Sequence, residues 1–115
     1  MAIKRYEGNG RMSKAVVRKG VIYLSGQVGS GSGDIQAQTW ETLKKVEALL
    51  ETYGSDKEHM LSAVIHLKDI THFSAMNEVW DAWIPEGFEP ARTCVEANLA
   101  GENLLVEVTV TAAVK

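Results

Sequence analysis

Cysteine is nearly missing from this chain: Cys94 stands alone among 115 residues. One thiol cannot close an internal disulfide, so a cross-linked extracellular scaffold is excluded and a reducing, cytoplasmic setting is expected. Positive charge is also in short supply. Twelve Lys and Arg against fifteen Asp and Glu leave a formal net charge of -3, and the basic residues are scattered. No phosphate-tracking stripe forms, so nucleic acid is not an expected partner. Long apolar runs are absent too. None approaches the roughly 20 residues that a bilayer demands, so no membrane partner is expected. Residues 1–10, MAIKRYEGNG, carry no apolar run and give no sign of a secretory signal. His59, His66 and His72 do not fall at metal-ligand spacing on one element, so no metal site is expected. No solenoid-period repeat or low-complexity tail is present. What remains is ordinary for one soluble globular domain over residues 1–115, with 45% hydrophobic and 23% charged residues.

The most regular pattern lies in residues 90–115. Leu104, Val106, Val108, Val110 and Ala112 alternate with Leu105, Glu107, Thr109, Thr111 and Ala113. A period of two predicts a strand with one buried face. Before the turn at Gly101 to Asn103, a second run places Arg92, Cys94, Glu96 and Asn98 on one side and Thr93, Val95, Ala97 and Leu99 on the other. If the two runs pair as neighbours, Arg92 and Glu107 share one polar sheet face.

Upstream, Lys14 to Arg18 and Val21 to Ser25 flank Lys19-Gly20 and predict a hairpin. The Gly/Ser-rich stretch 25–33 is a loop, not a phosphate loop, because no G-K-[ST] follows. Asp34 is placed to cap a helix to Tyr53, with Ile35, Thr39, Leu43, Val46, Leu50 and Tyr53 as its apolar stripe and Gly54 as its stop. Met60 to Leu67 predicts a strand with Leu61, Ala63, Ile65 and Leu67 inward. Thr71 is placed to cap a second helix, with Phe73, Met76, Val79, Trp80 and Trp83 buried and Pro85 ending it. The charges Glu41, Lys44, Lys45 and Glu47 are expected on a solvated helix face. The expected order is β-β-α-β-α-β-β, an α+β fold with two helices on one face of a mixed sheet. The opposite face then shows Thr109, Thr111, Val64 and Cys94 to solvent or to another copy of the chain.

Several pieces carry a family resemblance: S-K-A-V at 13–16, Y-L-S-G-Q-V at 23–28, L-L-E-T-Y-G at 49–54, F-S-A-M-N-E-V-W at 73–80, P-A-R-T-C-V-E at 90–96 and V-E-V at 106–108. In this order and spacing the chain resembles the reactive intermediate deaminase family, Rid, also called YjgF. The resemblance implies a chorismate-mutase-like fold and a homotrimer whose three sheets form a central barrel, with ligand clefts between subunits. It implies hydrolysis of reactive enamines and imines, such as 2-aminoacrylate, to 2-keto acids and ammonia without a cofactor. By position it makes Arg92 the clamp on the substrate carboxylate and Glu107 the holder of the attacking water. Cys94 lines the cleft through its backbone carbonyl, and Ser25, Gly26 and Asn77 line it further. Met12 stands where the family often has a tyrosine, a departure that removes a hydroxyl.

From spacing alone, Arg92 and Glu107 also read as a plain surface ion pair, and Cys94 as a small buried hydrophobe rather than a nucleophile. The second functional reading is a non-catalytic trimeric binder or sensor of small keto acids, motivated by Met12. A chorismate-mutase-type reaction would need several cations around a dicarboxylate, and only Arg92 is well placed for that.

Overall fold

In the computed structural model, which describes residues 2–115, the chain alternates strand and helix as its periodicities predict and adds one short strand. The strands are β1 (Lys4–Tyr6), β2 (Ala15–Arg18), β3 (Val21–Leu24), β4 (Met60–Leu67), β5 (Ala91–Glu96) and β6 (Val106–Ala113). The helices are α1 (Ile35–Thr52) and α2 (Phe73–Trp83). The strands form one sheet in the order β1-β2-β3-β6-β4-β5. Among the described residues, only β4 and β5 pair in parallel, as expected for strands linked through a helix.

β6 lies between β3 and β4, and its alternation decides which side is core. Val106, Val108, Val110 and Ala112 are buried with Ile65, Leu67 and Ala63 of β4. Both helices close over this side. α1 contributes Ile35, Thr39, Leu43, Val46 and Leu50, and α2 contributes Met76, Val79, Trp80 and Trp83. Among the described residues, neither helix lies on the opposite side of the sheet.

Asp34 caps α1 as expected, accepting from the Ala37 amide at 2.9 Å. Gly54, at φ 90°, follows the helix end. β1 lacks apolar alternation and was not expected. Tyr6 secures it by stacking on Tyr53 with centroids 4.7 Å apart. The Tyr53 hydroxyl also donates to Glu7, a bond that pushes the phenol up to about 12.

Four expectations need correction. Leu61 is 49% exposed rather than buried, because the β4–β6 register shifts between Met60 and Ser62. An extra residue in one strand turns its side chain out of the alternation. Thr71 does not cap α2. It sits in a helical turn at Ile70–His72, where the Asp69 carboxylate accepts from both its amide and its hydroxyl. Phe73 is 40% exposed at the start of α2, outside the core stripe. The charges on α1 are not simply solvated either. Glu41 accepts from the Ser30 amide and hydroxyl, which holds its carboxyl below the usual range. Lys45 reaches the Val28 carbonyl at 2.9 Å, and Glu47 accepts from the Trp83 indole at 3.0 Å.

Gln38 is a buried polar group that the hydrophobic pattern does not flag. It is 1% exposed. Its Nε2 donates to the carbonyls of Gly33 and Asn103, at 3.2 and 3.0 Å, and its Oε1 accepts from the Leu105 amide at 2.9 Å. One amide thus joins the Gly/Ser loop, α1 and the turn before β6. Replacing it with an apolar side chain strands three backbone groups. Gln38→Leu is therefore expected to lower unfolding free energy by about 2–4 kcal/mol, read as a shifted midpoint in urea at unchanged slope. A loss below about 0.5 kcal/mol would contradict the role given to this clamp.

Candidate functional site

The seven residues singled out from the sequence fall into two groups at different places on the sheet. The first gathers where β3 ends. Tyr23 pairs with Thr111, so an unbroken ladder would set Gly26 opposite Val108. The observed bridge instead pairs Gln27 with Val108. One residue has been inserted, and Ser25-Gly26 form a bulge of the kind that re-aims side chains beside functional sites. Gly26 thereby comes to lie against the carboxylate of Glu107. A Cβ at position 26 would fall inside contact distance of Glu107 Oε2, so the glycine is needed there for close approach. Ser25 donates its amide to the Lys14 carbonyl at 3.0 Å and accepts from Gln27 Nε2 at its own carbonyl and hydroxyl.

Met12 sits near this group, two residues before Lys14. The loop that carries it is tied by Asn9, whose Oδ1 accepts from the amides of Arg11 and Met12, both at 2.9 Å. The Met12 side chain is 42% exposed.

The second group lies along β5 at the sheet edge. Arg92 is opposite Ala63 and Cys94 opposite Ile65, both core positions, so these two side chains leave the sheet on its helix side. Above them, Phe73, Asn77 and Trp80 share one face of α2 by their i, i+4, i+7 spacing. The Arg92 guanidinium lies 5.2 Å from the Trp80 ring and 5.8 Å from the Phe73 ring. Among the described residues it forms no ion pair. Asn77 Oδ1 is buried and has no hydrogen-bond partner among them. Burial pushes the Cys94 thiol up, with the Arg92 charge opposing. That is the reverse of an activated nucleophile.

Two expectations about this region are overturned. The β5 and β6 runs are not neighbours, because β4 is inserted between them. Cys94 is not on the open face with Thr109, Thr111 and Val64; that place belongs to Thr93, which is in register with Val64 and Thr109. The physical reason is that β5 reaches the sheet through α2 and docks parallel on β4's outer edge, while β6 takes the inner edge. Arg92 and Glu107 therefore stand on alternate strands, at least about 10 Å apart across the sheet, and point to opposite faces. They do not meet within one chain. Glu96 is a structural acid: it accepts from the Ile70 amide at 2.8 Å. His66, by contrast, lies in register with Glu107 on the open face.

Among the described residues no three His, Cys, Asp or Glu side chains come together to hold a metal ion. No helix among them is long and apolar enough to cross a membrane.

This arrangement has close relatives. A family model described as endoribonuclease L-PSP matches residues 2–114. The chain is similar to the RutC family protein YoaB of Escherichia coli (strain K12), with 38% identity over 114 residues, 99% of this chain and 100% of YoaB. Among solved structures it resembles a YjgF family member from Neisseria meningitidis, with 42% identity and a TM-score of 0.97 over 100% of this chain and 97% of that one. It also resembles an uncharacterised protein from Pseudomonas aeruginosa, with 37% identity and a TM-score of 0.95 over 99% and 100%. The architecture is the chorismate-mutase-like α+β fold. A family model spanning nearly the whole length, together with these full-length relatives, places the chain in the endoribonuclease L-PSP family, which takes in the YjgF, Rid and RutC proteins.

Proposed function

We propose that this protein hydrolyses reactive 2-imino and 2-enamino acids to 2-keto acids and ammonia, in the cytoplasm, at clefts completed by neighbouring copies in a homotrimer. The observation that carries this reading is the division of the candidate residues. Arg92 and Cys94 lie on the edge strand β5 with Asn77 on α2 above them, and Glu107, Gly26 and Ser25 lie on the open side of the sheet. Neither half is a hydrolytic site alone. An edge strand docked beside the open face of a second copy would bring the halves together, and closed rotational symmetry would repeat the junction.

In such a cleft Arg92 grips the substrate carboxylate with two parallel hydrogen bonds, a geometry that a lysine would not reproduce. Glu107, held beside Gly26, orients a water toward C2 and takes its proton as the C–O bond forms. A 2-enamino acid enters this path after solvent protonates it at C3 to the iminium. The water's proton passes from Glu107 to the carbinolamine nitrogen, the hydroxyl proton goes to Glu107 as the C–N bond breaks, and ammonia leaves with the C=O of the keto acid behind. The Cys94 carbonyl and Asn77 Oδ1 accept from the nitrogen. The reaction needs positioning and one general base, which these side chains and the Cys94 backbone carbonyl would supply. Met12, at its exposed loop tip, supports a second reading, a keto-acid binder without turnover. That protein would bind 2-oxobutyrate yet leave imine decay at its spontaneous rate.

The test generates 2-aminoacrylate in solution and follows its loss. Arg92→Ala should lower the protein-dependent rate at least about 100-fold, and Glu107→Gln about 10²–10⁴-fold. Cys94→Ala should stay close to parental, because only its carbonyl is used. Mixing the Arg92→Ala and Glu107→Gln variants and allowing subunit exchange should restore about a quarter of parental activity at equal amounts, since one junction in four then carries both intact residues. Failure of complementation, with both variants folded and exchanging, would eliminate a shared cleft. Gly26→Ala should push the Glu107 carboxylate aside, lowering kcat while leaving the melting temperature nearly unchanged; equal kcat would show that close approach is not used.

A further inference from the structure

The geometry points to Phe73 as a positioning residue for Arg92: with Trp80 it forms an aromatic cradle that holds the guanidinium ready for a carboxylate. This rests on the proposed function and extends it to a residue given no role there. Three observations carry it. Phe73 is the one large apolar residue of the second helix's expected stripe that is left substantially in solvent, so core packing does not account for its placement. Its ring lies 5.8 Å from the Arg92 guanidinium, and Trp80 lies 5.2 Å from the same group. The guanidinium has no carboxylate partner among the described residues, so the rings are the groups seen beside it.

The chemistry follows from the shape of an arginine. An unpaired guanidinium on a long side chain samples many rotamers, and ordering it on binding weakens affinity. Two π-faces attract the cation without occupying its N–H donors, so the fork stays free for an oxygen ligand. Ala63, opposite Arg92 on β4, contributes only a methyl group beneath this assembly. Trp80 is buried and forms the floor, whereas Phe73 stands at the solvent side and can be changed without opening the core.

The experiment compares the parent with Phe73→Leu and Phe73→Tyr. Leucine keeps an apolar side chain at the same helical position but has no π-face; tyrosine keeps the ring. Calorimetry with 2-oxobutyrate and steady-state kinetics with 2-aminoacrylate are read together with the Arg92 Nε–Hε resonance of the ligand-free protein. In the parent that resonance should be displaced by ring currents. Phe73→Leu should reduce the displacement, weaken 2-oxobutyrate binding about 3–10-fold and raise KM by a similar factor with kcat nearly unchanged. Phe73→Tyr should restore all three. Parental affinity and KM in a folded Phe73→Leu protein would overturn the positioning role while leaving the proposed function standing. If the parent itself neither binds 2-oxobutyrate nor consumes 2-aminoacrylate, the proposed function falls first. The Arg92 resonance would then still report the cradle: no difference between parent and Phe73→Leu would remove it as well.

Discussion

Burial on only one side of the sheet is the constraint that shapes this molecule. Both helices lie over the same face, and the apolar half of β4 and β6 is sealed beneath them. The other half shows Ser62, Val64, Thr109 and Thr111 partly exposed, with Tyr23 in register with Thr111 and 51% exposed. Threonine, valine and tyrosine suit a pleated surface packed against another. They make a poor solvated face, and a poor interior for a lone chain. The division of the candidate site follows from the same constraint. Glu107 belongs to the bare side, and Arg92 belongs to the helix side at the sheet's rim.

Two single-residue irregularities then do the fine placement. The insertion at Ser25-Gly26 carries a glycine over the Glu107 carboxylate, and the shift at Leu61 turns a leucine outward from a strand that is otherwise regular. Each changes the side-chain parity of one strand while its neighbours keep theirs. The loop after the first irregularity is fixed from above, because Glu41, Lys45 and Gln38 of α1 all reach down to its backbone. Gly26 is thus approached by an anchored segment rather than by a free loop.

The periodic elements were legible because burial imposes periodicity. α1, β4 and β6 stand where their spacing puts them, and Asp34 caps as its position predicts. Parity along a strand says which residues share a face, but it does not say which strand lies alongside. For that reason the separation of β5 from β6 could not be read. β5 itself is an edge strand with mixed residues on both sides, so its pattern gave no core face and Cys94 was assigned to the wrong one. Gln38 was passed over and Glu41 assigned to a solvated face because a hydrophobic stripe registers apolar groups, whereas their work is done through backbone hydrogen bonds. The candidate residues themselves came from motif resemblance. Their partition into two groups came only with the topology.

The Gln38 clamp also bears on how the chain reaches this state. Its bonds to Asn103 and Leu105 join positions 65 and 67 residues apart in sequence, and β6 enters the middle of the sheet only after both of its neighbours have been synthesised. During translation β3 and β4 must therefore wait, each with an unpaired edge, and α1 must wait with an amide that has not yet found its distant partners. Ordering of the sheet is accordingly late and concerted, and the nascent chain is most open to aggregation just before β6 emerges.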